Sequence, residues 1–280
     1  MGKLWVQYRG GLGNQLFSWA SGFALAKTIG CEVVLVRKSA SQPKFELGEF
    51  SAGVAHRWRD FTPLEHRLLS PIGLAPRDRP IRERNAGFDP LFGSVRPGQY
   101  VAGYLQSPRY FGSYAGEIRK FLRGLRAESP ALKEYRRRLG RIDWVAVHVR
   151  LGDYLRFPET YVIPSSAYYS RALEHVKAEV PHAKIVLFSD DLVAARKLVP
   201  QADETIGSED IHSSAETMTL MSEAHSLVGA NSTLSWWAAF AGSGLPGRNV
   251  FPSRWFSDSA LSAKEFLLPE FIVIDPSTGR

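Results

Sequence analysis

The stretch KLWVQYRGGLGNQLFSWASGFALAKTIGCEVVLV, residues 3–36, decides the fold. Lys3 to Tyr8 is an apolar run of strand length. Asn14 to Ile29 places Leu16, Phe17, Ala20 and Ala24 on one helical face, and Glu32 to Val36 is a second apolar run of strand length. Strand, helix and strand make a βαβ opening, the unit from which parallel sheets with covering helices are built.

The same alternation continues down the chain. Tyr100 to Leu105 reads as a strand, Arg109 to Leu122 as a helix and Pro130 to Leu139 as a polar helix. The pattern then restarts with the strand Trp144 to Val149 and the helix Ser165 to about Glu179. Lys184 to Ser189 is a strand, Leu192 to Leu198 and Ala215 to Ser222 are helices, and Ser226 to Ala230 is a strand. Thr233 to Ala241 is a helix, Asn249 to Phe251 a short strand and Phe271 to Ile274 a closing strand. The expectation is an α/β protein of two doubly wound halves, residues 1–140 and 141–280. Between Arg37 and Gln99 only a helix near Pro63 to Leu69 is readable; the rest is irregular and rich in Arg, Pro and Gly.

Composition narrows the class. The chain has 280 residues, 44% hydrophobic and 22% charged, which suits a globular protein with a real core and excludes collagen, disulfide-framework and disordered classes. It contains no apolar run of the ~18 residues that a membrane-spanning helix needs. Met1 to Val6 lacks the features of a signal peptide. Cys31 is the single cysteine and cannot form an internal disulfide, which fits a reducing compartment. The expectation is a cytoplasmic protein, with peripheral membrane contact left open. Thirty-five Lys and Arg against 28 Asp and Glu give +7. That charge suits an anionic partner, or simply a solvated basic face, and does not choose between nucleic acid, membrane surface and phosphorylated small molecule.

In open α/β sheets ligands bind beyond the carboxyl ends of strands, so four segments stand out. Arg9-Gly10-Gly11-Leu12-Gly13-Asn14-Gln15 is a glycine-rich turn where backbone amides and a helix N-terminus can meet an anion. Leu16 occupies the third-glycine position of a dinucleotide fingerprint and no Gly-Lys-Ser/Thr follows, so the alternative is a tight turn and nothing more. In His148-Val149-Arg150-Leu151-Gly152-Asp153-Tyr154, alternation sends His148 and Arg150 to one face. Arg150 can grip phosphate as a fork and Asp153 can orient it or handle a proton; the alternative is a structural Arg150–Asp153 pair beside a core histidine. Phe188-Ser189-Asp190-Asp191 offers one carboxylate for helix capping and one for a ligand. Ala230-Asn231-Ser232-Thr233-Leu234-Ser235-Trp236-Trp237 offers hydroxyls and first-turn amides, or plain capping over buried tryptophans. The histidines His56, His66, His148, His175, His182, His212 and His225 show no metal-ligand spacing, so no metal site is expected.

Taken in order, Gly-Gly-Leu-Gly-Asn-Gln-Leu-Phe, Gly103-Tyr104-Leu105-Gln106-Ser107, His-Val-Arg-x-Gly-Asp-Tyr, Phe-Ser-Asp-Asp and Ala-Asn-Ser-Thr-x-Ser-Trp-Trp resemble glycosyltransferase family 11, the α-1,2-fucosyltransferases, from about Tyr8 to Pro252. The resemblance implies a GT-B-like fold of two facing Rossmann-type halves, the first on the acceptor side and the second binding GDP-fucose. It implies inverting, metal-independent transfer of L-fucose from GDP-β-L-fucose to the 2-hydroxyl of a galactose-terminated glycan, with no cofactor beyond the donor itself. Arg150 would hold the donor pyrophosphate, with Gly11, Gly13, Asn14 and Gln15 near the same diphosphate across the cleft. Asp190 would contact the guanine or ribose side, and Asn231, Ser232 and Thr233 the phosphates. Asp153 is the first candidate base, Glu159 the second, and His148 completes the catalytic set. Where the family commonly has two adjacent arginines, this chain has Arg150 and Leu151. Human-type members carry a membrane anchor and luminal stem; without these features the sequence looks like a bacterial, cytoplasmic member. Another fucosyl linkage, a sugar-binding module using the seven tryptophans, and a nucleic-acid-binding protein are the alternatives. The last lacks any recognised RNA or DNA module.

Overall fold

The structure is a computed structural model; the residues it describes are 2–37, 43, 46, 56–60, 63–71, 75, 80–84, 87–125, 129–242, 247–258 and 261–277. Most of the stretch 38–55 and several short segments lie outside them. The chain divides into two compact units, Met1–Ile118 and Arg119–Arg280.

In the first unit β1 (Lys3–Tyr8), α1 (Leu12–Thr28), β2 (Glu32–Arg37), β3 (His56–Asp60), α2 (Pro63–Leu69), β4 (Ile81–Arg82) and β5 (Tyr100–Ala102) follow in order. The strands form one sheet, β3-β2-β1-β5-β4, with parallel pairing throughout. The βαβ opening is therefore observed, with one shift. The helix begins at Leu12 rather than Asn14, because Gly10 takes a left-handed φ of +63° and Gly11 an extended one, which turns the chain into the helix two residues sooner. Nor is α1 buried on one face only: Trp19, Ser21 and Gly22 are buried along with Leu16, Phe17, Ala20 and Ala24. Gly22 allows this, since a Cβ there would lie 2.9 Å from Val6.

The expected helix Arg109 to Leu122 is broken. Ser107 caps a 3₁₀ turn over Pro108–Tyr110, Phe111 leaves helical geometry with φ −124°, a second 3₁₀ turn follows over Gly112–Tyr114, and only then does α3 (Ala115–Arg123) form. The strand at Tyr100 ends at Ala102 instead of Leu105, because the Tyr104 and Leu105 amides go to Glu83 Oε2 and not to a neighbouring strand.

The second unit contains α4 (Pro130–Leu139), β6 (Trp144–Val149), α5 (Ser166–Glu179), β7 (Lys184–Ser189), α6 (Leu192–Leu198), β8 (Glu204–Ile206), α7 (Ser214–Ser222), β9 (Ser226–Val228), α8 (Thr233–Ala241), β10 (Asn249–Pro252) and β11 (Ile272–Ile274). Its sheet runs β11-β10-β9-β6-β7-β8, again with parallel ladders. Every residue of β6 is buried, as a central parallel strand covered on both faces requires. Its core joins Val145, Val147 and Val149 to Tyr168, Tyr169 and Ala172 of α5. The unit boundary falls ahead of the seam near residue 140, where the strand pattern restarts. Arg119 donates to the Phe240 carbonyl at 3.0 Å, Ser129 donates to Glu216 at 2.7 and 2.8 Å, and Arg136 pairs with Glu223, so Arg119 through Leu139 belongs to the second unit. Among the described residues no helix is long and apolar enough to cross a membrane.

Candidate active site

Strand order identifies where ligands bind. From β6 the second sheet grows one way through β7 and β8 and the other way through β9, β10 and β11, so the β6/β9 pair is its switch point. The residues just past those strands are Arg150 and the Asn231–Thr233 segment.

Arg150 is gripped by two carboxylates. Its Nη1 lies 2.8 Å from Asp190 Oδ2 and its Nη2 2.6 Å from Asp153 Oδ1, and about a third of the side chain stays exposed. The other oxygen of Asp190 accepts the Leu151 amide at 2.9 Å. The two adjacent aspartates thus divide their work: Asp191 caps α6 by accepting the Ala194 amide at 3.0 Å, while Asp190 locks Arg150. Gly152 makes room for this, since a Cβ there would collide with Asp190 Oδ2. The Arg150–Asp153 pair beside a buried histidine, the structural alternative at this motif, is therefore present, and the arrangement leaves a partly exposed, oriented guanidinium at the switch point.

Tyr154 and Tyr161 stack face to face at 4.0 Å beside this group, with the Arg150 guanidinium 5.7 Å from the Tyr154 ring. Tyr154 donates to the Asn231 carbonyl at 3.0 Å, which ties the segment after β6 to the segment after β9. Burial raises its phenol pKa further, so it stays a neutral phenol. Tyr154 lies inside the strand-end motif that begins at His148, whereas nothing in the sequence marks Tyr161.

Three predicted site residues have other commitments. His148 is 5% exposed, and its Nδ1 is buried without a hydrogen-bond partner among the described residues. Desolvation, reinforced by Arg150 and opposed by Asp190, holds its pKa down to about 4. It is a neutral core histidine beneath the site. Asn231 is buried, and its Nδ2 donates to the carbonyls of Val162 at 2.6 Å and Trp255 at 2.8 Å, so that end of the side chain fastens loops, while its Oδ1 has no hydrogen-bond partner among the described residues. Ser232 caps α8 by accepting the Leu234 amide at 3.3 Å. Thr233 opens that helix half-buried, and Glu159 is exposed.

In the first unit β1 and β5 are the switch pair, since β2 and β3 extend to one side and β4 to the other. Gly11 is the N-cap of α1 with no side-chain cap, and Gly13 lies in the first turn. Gln106 donates to Asn14 Oδ1 at 2.8 Å, joining the two strand ends. Gln15 is fully buried, donating to the Gly10 carbonyl at 3.0 Å and accepting the Glu46 amide at 3.0 Å, so it shapes the turn from inside.

Solved structures share this architecture. The fucosyltransferase NodZ from Bradyrhizobium superposes with a TM-score of 0.50 at 13% identity, covering 86% of this chain and 92% of its own. A glycosyl transferase family 9 protein from Veillonella parvula gives 0.52 at 11% identity over 98% and 87%. What these likenesses show is the fold, two parallel α/β halves of the GT-B-like kind. Residues 95–275, more than half of the chain, match Glycosyl transferase family 11, and the chain belongs to that family. Similar proteins include an alpha-1,2-colitosyltransferase of Escherichia coli, 23% identical over 91% of this chain and 92% of that protein. The O-antigen biosynthesis glycosyltransferase WbnK of Escherichia coli is 24% identical over 89% and 93%. The bovine galactoside 2-alpha-L-fucosyltransferase SEC1 is 26% identical over 87% of this chain and 65% of its own length.

Proposed function

We propose that the protein transfers L-fucose from GDP-β-L-fucose to the 2-hydroxyl of a terminal galactoside in a glycan, forming an α-1,2 linkage with inversion. The observation that carries the reading is the Arg150 guanidinium, oriented by Asp153 and Asp190 yet partly open at the β6/β9 switch point. Two relatives support it by name, one acting as a galactoside 2-alpha-L-fucosyltransferase and one making an alpha-1,2 linkage with colitose.

In this reading the bond from fucose C1 to the phosphate oxygen breaks with its electrons leaving on GDP, and the galactose 2-oxygen bonds to C1 from the opposite face. Positive charge at Arg150 stabilises the departing diphosphate, and fixed charge aimed at developing charge is normally the largest catalytic contribution. The first-turn amides of α8 are a second donor toward phosphate. Asp153 receives the hydroxyl proton, with Glu159 the second choice. The donor belongs to the second unit and the acceptor to the first. Neither a metal nor nucleic acid takes part. The buried, unpaired Cys31 thiol suits a reducing cytoplasm, in solution or at a membrane surface.

The test is incubation of GDP-fucose with a panel of galactose-terminated glycans, with linkage analysis of any product. An α-1,2-fucosyl product is expected, and GDP should raise the melting temperature where ADP does not. A product linked elsewhere on galactose would retain the family and correct the linkage, and no transfer from GDP-fucose would overturn the donor.

A further inference from the structure

Beside the β1/β5 switch point, three buried polar atoms lack hydrogen-bond partners among the described residues: Gln7 Nε2, Arg9 Nε and Glu83 Oε1. Unmet buried polar groups are uncommon, and a cluster of them at the ligand end of a parallel sheet calls for a cause. These three belong to one neighbourhood. Arg9 Nη2 donates to Gln7 Oε1 at 3.2 Å, the Arg9 guanidinium lies 5.7 Å from the Tyr104 ring, and Arg9 and Glu83 interact electrostatically. Gln7 itself is only 1% exposed.

The backbone there is built to hold one side chain out. Glu83 Oε2 accepts the amides of Tyr104 at 2.8 Å and Leu105 at 3.2 Å. Gly103 permits that approach, because a Cβ would sit 2.7 Å from Glu83. Leu105 takes φ +51°, and its carbonyl accepts the buried Ser21 hydroxyl at 3.0 Å. Between these fixed points Tyr104 is 46% exposed. A non-glycine residue at positive φ is strained, and such strain gathers at ligand sites.

We infer that Tyr104, with Arg9, Gln7 and Glu83, forms the subsite for the acceptor's pyranose ring. This rests on the galactoside function proposed for the chain and deepens it. A hexose supplies in one ligand what the cluster lacks: an apolar C–H face to lie on the Tyr104 ring, hydroxyl oxygens for Gln7 and Arg9, and a hydroxyl proton for Glu83. The Arg9 side chain is half-buried and held by a single side-chain hydrogen bond among the described residues.

Three variants of the full chain test this: Tyr104→Ala, Tyr104→Leu and Tyr104→Phe, each measured for melting temperature, GDP affinity by calorimetry, and acceptor KM with GDP-fucose and a galactoside. Loss of ring stacking should raise acceptor KM about five- to tenfold or more in Tyr104→Ala and Tyr104→Leu, while Tyr104→Phe stays near the parent. GDP affinity should change less than about twofold, since a donor contact is not involved, and melting should hold because the side chain is exposed. An unchanged acceptor KM in Tyr104→Ala, a leucine variant that behaves like the parent, or GDP affinity that falls with KM would each overturn the subsite. If the parent chain transfers to no galactoside, the acceptor reading fails first and the inference with it.

Discussion

Asp190 holds Arg150 and the next residue's amide with its two oxygens, the guanidinium at 2.8 Å and the Leu151 N–H at 2.9 Å. One carboxylate therefore sets both the direction of the guanidinium and the path of the chain that carries it. The family's frequent second arginine is replaced here by Leu151, whose side chain is 3% exposed and packs in the core. Its amide, and not its side chain, contributes to the site. A cation at that position would have to be accommodated within the hydrophobic cluster, so Arg150 is the cation this segment presents.

Arg150→Ala should lower turnover by several hundredfold or more, roughly 3–4 kcal/mol, because its stabilisation grows as charge develops on the leaving diphosphate. Arg150→Lys should recover little, since it keeps the charge without the fork that spans Asp153 and Asp190. Melting temperature, GDP affinity and turnover measured on one preparation decide the matter. A folded alanine variant with near-parent turnover excludes the phosphate role.

Gly152→Ala should damage function more than stability. The new methyl meets the end of a side chain, so the Asp190 carboxylate can swing away, at a cost of about 1 kcal/mol for the hydrogen bonds it leaves. Arg150 then loses its brace, and GDP affinity should fall. In an Asp190→Ala background the same glycine substitution should add little, because the two changes act through one contact. Additive losses of GDP affinity across that double-mutant cycle would contradict the contact.

The sequence is legible where burial on both faces writes a continuous apolar run: Trp144–Val149 and Lys184–Ser189 appear at their observed limits. It is silent for β3, whose residues His56-Arg57-Trp58-Arg59-Asp60 carry no apolar pattern, and for β4 and β8, which are two and three residues long and exist only through pairing with a neighbour. The site shows the same division. Strand ends place Arg150, Asp153 and Asp190 in candidate segments, but which aspartate caps and which braces depends on the spatial approach of Gly152 and Leu151. Gln15 and Asn231 carry residue types common at ligand sites, yet the Gln15 amide nitrogen is taken by the Gly10 carbonyl and the Asn231 amide nitrogen by the carbonyls of Val162 and Trp255, and only the buried Asn231 Oδ1 is left without a partner among the described residues. No spacing along the chain encodes that.

Activity should survive excess EDTA. Asp190 and Asp191 are neighbours in sequence but diverge, one to Arg150 and one to the first turn of α6, so they do not converge on a common point as metal ligands would. The charge of the leaving group is left to Arg150 and helix amides. Complete loss of turnover with chelator, restored by manganese or magnesium, would transfer that role to an ion.

The pH dependence of stability follows from His148. Its folded pKa is lowered to about 4, first by desolvation and then by Arg150, against an ordinary value near 6.5. Below pH 6.5 the unfolded chain takes up a proton that the folded chain refuses until about pH 4. The contribution is therefore fully present above about pH 6.5, shrinks as pH falls, and is lost through the folded pKa; its full size is roughly 3 kcal/mol. His148→Met removes the titrating ring while filling similar space. Denaturant unfolding at about pH 7.5 and about pH 4.5 should show the parent losing roughly 2 kcal/mol more than this variant over that interval. Arg150→Ala should flatten the same difference by withdrawing the second cause of the shift. Parallel losses in parent and His148→Met would show that the imidazole is charged in the folded protein, and would put a second cation beneath the site where the structure has a neutral ring.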